Sequence, residues 1–109
     1  MSNLRTIYVD VDETICHYGN PGVKRTKAVD YSTAIPFKDR IEKINKLYDE
    51  GNTIVYWTAR GTRTGINWFH VTLNQLNKWN CKFTELRLGK PHYDLFIDDK
   101  NINSENFFN

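Results

Sequence analysis

Little in this chain ties it to a special environment. Its 109 residues include only two cysteines, Cys16 and Cys81, far apart and not in the spacing of a metal-ligand set. That argues against a disulfide framework or a structural zinc site and fits reduced thiols in a cytoplasmic protein. No apolar run approaches the roughly 20 residues that cross a bilayer. The first expected strand begins within a few residues of Met1, which leaves no room for a removable signal segment. Charge of one sign is also scarce. The net charge of +2 is too slight to imply nucleic-acid binding by itself. Internal repeats and low-complexity tracts are absent, so the length suits one small domain over residues 1–109.

What is present is concentrated near the start. Ile7-Tyr8-Val9-Asp10-Val11-Asp12-Glu13-Thr14 is an apolar strand ending in two aspartates one residue apart. Were the extended geometry to continue through Asp12, both carboxylates would point the same way. Like charges held that close repel and raise one pKa, and a bound cation relieves the cost. Magnesium prefers such oxygens, supplemented by water and substrate phosphate.

Periodicity organises the remainder. Residues 4–11, 53–57, 82–88 and 93–97 read as strands. Helices are expected from Pro36 to Gly51 and over 64–79, the second burying Ile66, Phe69, Leu73 and Leu76. A short terminal helix fits residues 101–108. Between 16 and 35 the pattern lapses into a turn cluster around Gly19 and Gly22, followed by basic residues. This segment is a disordered loop or a small hairpin flap. Strands alternating with helices imply an α/β domain with a mostly parallel sheet of about four strands. In such sheets ligands bind beyond the carboxyl ends of the strands. Asp10 and Asp12, Thr58, and Asp98 and Asp99 fall at three such ends, with Lys90 in the loop before the last.

Together these residues resemble the haloacid dehalogenase superfamily of phosphohydrolases. Asp10-Val11-Asp12-Glu13-Thr14 is similar to its first motif, Thr58 to the second, Lys90 to the third and Asp98-Asp99 to the fourth. The stretches around Thr58-Ala59-Arg60-Gly61 and Gly89-Lys90-Pro91 also resemble short bacterial and phage proteins associated with capsule or lipopolysaccharide sugar metabolism. The resemblance implies a three-layer Rossmann-like fold and a magnesium-dependent phosphatase. In that reading Asp10 is the nucleophile and Asp12 the general acid and base. Thr58, Ala59 and Lys90 bind phosphate. Asp10, Asp12, Asp98 and Asp99 hold the metal. Glu13 departs from the family by standing where many relatives have glycine. Lys90 stands unusually close to Asp98, with Arg87 as an alternative phosphate-binding cation. The intervals between motifs are too short for a cap domain, so the expected site is open, and the flap or a second subunit of a homo-oligomer would close it.

Simpler roles stand beside these. Thr58 could cap the following helix, Asp98 and Asp99 the last one, and Trp57 and Trp68 could be core residues. Arg60, Lys24 and Arg25 are candidate substrate contacts or solvated surface charges. The leading function is a phosphomonoesterase acting on a phosphorylated sugar or similar small metabolite. The alternatives are a phosphatase of nucleotide or nucleic-acid ends, and a non-catalytic phosphate-binding module. No membrane partner is expected.

Overall fold

The computed structural model describes residues 3–19 and 30–109. Its centre is a parallel three-stranded sheet in the order β1 (Thr6–Val9), β4 (Thr53–Trp57), β5 (Glu85–Arg87). β1 is its outer strand among the described residues, with Val9 opposite Tyr56. The β-branched and aromatic runs that form β1 and β4 bury Val9, Ile54, Val55 and Tyr56. Just outside the sheet, Arg5 N–H donates to Asn52 Oδ1 at 2.9 Å and Thr53 N–H to Arg5 O at 2.9 Å, which fixes the register where the two strands begin.

Helix α1 (Lys38–Asp49) buries Ile41 and Ile44 at one-turn spacing, with Leu47 beside them. Asp39 in its first turn and Lys46 in its last suit the helix dipole. Gly51, at φ +103°, follows where the chain turns into β4. Pro36 does not open this helix as expected. It sits in β3 (Ile35–Pro36), paired antiparallel with β2 (Cys16–His17), and Phe37 N–H donates to Ile15 O at 2.8 Å. The rest of the segment expected to form a flap, residues 20–29 with Lys24 and Arg25, lies outside the described residues.

Three expectations need correcting. Helix α2 (Phe69–Lys78) starts five residues later than its pattern suggested. Gly61 and Gly65, both at positive φ, turn the chain first, and Gly65 N–H donates to Gly61 O at 2.8 Å. A Cβ on Gly61 would lie 2.1 Å from Ile66 O, so this turn accepts no side chain. Ile66 is therefore 55% exposed, and Thr72 takes a place in the buried stripe. Second, residues 93–97 form no strand, so the parallel sheet has three strands where about four were expected. Third, the described helices gather on one face of the sheet. Residues of α1, α2 and the terminal α3 (Ser104–Phe108) all join one apolar cluster with Ile7, Val9, Ile54, Tyr56 and Leu86. Tyr8, Val55 and Trp57, on the other face, lie outside that cluster. No described helix is long and apolar enough to cross a membrane.

Candidate functional site

β1 ends at Val9, and the chain turns at once. Thr14 and Ile15 N–H both donate to Val11 O, and Glu13 N–H donates to Cys16 O at 2.9 Å. Val11 and Ile15 are fully buried and anchor the turn from inside. Glu13 closes it at φ +63°, a left-handed conformation that explains why glycine suits this position. With the chain turning just after Asp12, the two carboxylates find different partners.

Asp10 faces Lys90, whose Nζ is 3.5 Å from Asp10 Oδ1, and Thr14 Oγ1 donates to Asp10 Oδ2 at 3.4 Å. Burial pushes the Asp10 carboxyl above the usual carboxylate range against the pull of Lys90, and the Asp12 charge adds to the rise. Lys90 also lies near the Trp57 and Tyr93 rings. Arg87, the alternative cation, instead pairs with Glu85 and donates to Tyr8 Oη at 2.9 Å on the open face of the sheet.

Asp12 is held by Arg60. Nε donates to Asp12 Oδ2 at 3.0 Å and Nη2 to Oδ1 at 2.9 Å, a two-pronged pair in which the Arg60 side chain has no solvent exposure. Tyr18 Oη donates to the same carboxylate, and the Cys16 thiol lies 3.4 Å from it. The rest of the guanidinium donates to Thr72 Oγ1 at 3.0 Å and Gln75 Oε1 at 2.6 Å, and it stacks on the Tyr31 ring. Arg60 is thus a buried support for Asp12, where a substrate contact or a surface charge was expected. Burial opposes its charge, but the bonds and charge of Asp12 outweigh that and raise its pKa.

Thr58 lies at the carboxyl end of β4 and is 1% exposed. Its N–H donates to Arg87 O, its carbonyl accepts from Lys90 N–H at 3.1 Å, and its Oγ1 accepts from Arg60 N–H at 3.1 Å. It does not cap α2, which begins eleven residues later. Ala59 follows it in the turn, accepting from Thr62 N–H. Thr62 Oγ1 also donates to Lys90 O at 2.7 Å, so the turns that carry Thr58 and Lys90 are tied by one backbone and one side-chain bond.

Asp98 and Asp99 are not gathered here. Both are exposed, and Asn101 bonds the Asp98 carbonyl. Nor do they cap α3, whose N-cap is Asn103. No cluster of three His, Cys, Asp or Glu side chains able to share a cation occurs among the described residues. Asp10 and the Asp12 carbonyl are hard oxygen donors of the kind magnesium takes, but one chain in this arrangement brings only part of the expected shell.

Sequence reasoning missed the Arg60 support. The available signal was Thr72, a polar residue at a buried helical position between Phe69 and Leu76, since a buried hydroxyl needs a partner.

No family model and no curated protein matches the chain. A crystal structure of an MCSG target from Vibrio cholerae superposes with a TM-score of 0.78 at 26% identity, covering 96% of this chain and 88% of that one.

Proposed function

We propose that this protein is a phosphomonoester hydrolase of the haloacid dehalogenase type, working through an aspartyl-phosphate on Asp10. The observation that carries the reading is the meeting of Asp10 and Lys90 at 3.5 Å beside Thr58, where two parallel strands end. A carboxylate and an ammonium group at that place suit attack on phosphorus and neutralisation of phosphoryl oxygens.

Asp10 Oδ attacks phosphorus, forming the acyl-phosphate bond as the bond to the leaving oxygen breaks. Asp12, protonated when the cycle begins, gives that oxygen its proton and regains one from the water that attacks phosphorus as the bond to Asp10 breaks. The ion-paired Asp12 carboxylate is the form needed for the second half. Arg60 acts as a positioning residue, aiming Asp12 without touching substrate. Lys90 and the Thr58 hydroxyl receive the transferred group. A bound magnesium ion would offset the repulsion between nucleophile and phosphate. A phosphorylated sugar or other small metabolite is the proposed substrate.

The test is phosphate release from sugar phosphates, nucleotides and end-phosphorylated oligonucleotides, with magnesium or with EDTA. Release is expected with magnesium, fastest on a small phosphate ester, and absent with EDTA. A preference for oligonucleotides that weakens steeply as salt rises would favour the nucleic-acid reading instead. No release from any substrate, by a folded and magnesium-saturated protein, would count against catalysis.

A further inference from the structure

Residues 93–97 have the composition of a strand yet pair with nothing in the sheet, leaving Leu95 75% and Ile97 87% exposed and Phe96 43%. At the other end of the sheet order, β1 has a free edge among the described residues. Its sequence, Thr-Ile-Tyr-Val, carries none of the charges or prolines with which edge strands discourage pairing. One chain thus displays both an unpaired strand sequence and an unpaired strand edge.

The two cannot meet within one chain as it is anchored. The Lys90 N–H bond to Thr58 O holds the backbone level with Val11, above the end of β1. A parallel strand over 93–97 that brought Asp98 level with Asp10 would begin level with Arg5, about 20 Å lower. It would also stand about 10 Å to the side of β4, beyond β1. The straight-line distance is then about 22 Å, whereas the three residue steps from Lys90 to Tyr93 reach at most about 11 Å.

We propose that two copies exchange this segment: residues 93–97 of each add to the free edge of β1 in the other, placing Asp98 and Asp99 beside the partner's Asp10. The contact is reciprocal, so it closes as a symmetric dimer. Backbone pairing supplies its register, and Leu95 and Ile97 lose their exposure to water. The strand exchange stands on geometry alone. The role of Asp98 and Asp99 in the partner's metal shell rests on the phosphatase reading above.

Light scattering on the full chain tests the exchange. Wild type should have twice the 12.9 kDa chain mass, and a Leu95→Asp/Ile97→Asp variant should have the single mass with unchanged circular dichroism. A wild type that stays monomeric at high micromolar concentration overturns the proposal, as does a charged variant that remains dimeric. The shared site is tested by refolding Asp10→Asn together with Asp98→Asn, each inactive alone. Random pairing makes half the dimers mixed, each with one intact site of two, so about a quarter of wild-type turnover should return. No recovery from mixed dimers of an active enzyme overturns the sharing. If wild type is itself inactive, the phosphatase reading fails while the mass measurement still decides the exchange.

Discussion

Replacing Arg60 with methionine should destabilise the protein by about 3–5 kcal/mol, the usual cost of stripping one partner from a buried ion pair. The guanidinium is fully enclosed and bonds Asp12, Thr72 and Gln75, so its loss leaves several polar groups without their donor. Urea unfolding should show a lower midpoint with an unchanged slope. Asp12→Asn in the same background should cost less than it does alone, because the charge it removes has already lost its partner. A destabilisation below about 1 kcal/mol would mean that water replaces the arginine and that the pair only orients Asp12. Part of the function would be lost in either case, since an unaimed Asp12 neither gives nor takes a proton efficiently.

Asp10→Asn should reduce turnover by at least about 10³-fold, because the amide cannot form the acyl-phosphate and no other described carboxylate is paired with Lys90. The fold should survive. Burial already works against the Asp10 charge, so its removal should leave the urea midpoint nearly unchanged or slightly higher. Loss of activity with retained folding places the chemistry on this carboxylate. Comparable turnover in the variant would place it elsewhere and reduce the Asp10–Lys90 pair to a structural contact.

How much of this was legible depended on what each residue needs in order to be read. The 53–57 strand and the α1 stripe through Ile41 and Ile44 were visible because burial alone selects those side chains. The opening of α2 was not, because Ile66 mimics a helical repeat while Gly61 and Gly65 are needed at positive φ in the turn before it. Asp10, Thr58 and Lys90 were found by type and position along the chain, and the fold does bring them together. Arg60 was singled out as a substrate contact or a surface charge, because local sequence cannot report that its guanidinium is enclosed against Asp12. Residues 93–97 were read as a strand from their side chains, but a strand needs a neighbour to pair with, and composition does not report that none of the described strands provides one.

The two cysteines give the molecule its own gauges of local opening. Cys16 is fully enclosed beneath Asp12, where burial and the neighbouring carboxylate keep the thiol well above its ordinary pKa. Cys81 lies just beyond α2, and burial pushes its thiol up to about 12. Thiolate is the reactive form, so neither sulfur is reactive while its surroundings stay closed. The rate at which an alkylating reagent captures each one then measures how often that region opens. Cys16 clocks the turn that carries Asp12, Cys81 clocks the approach to β5, and the ratio of the two rates distinguishes motion confined to the site from unfolding of the whole chain.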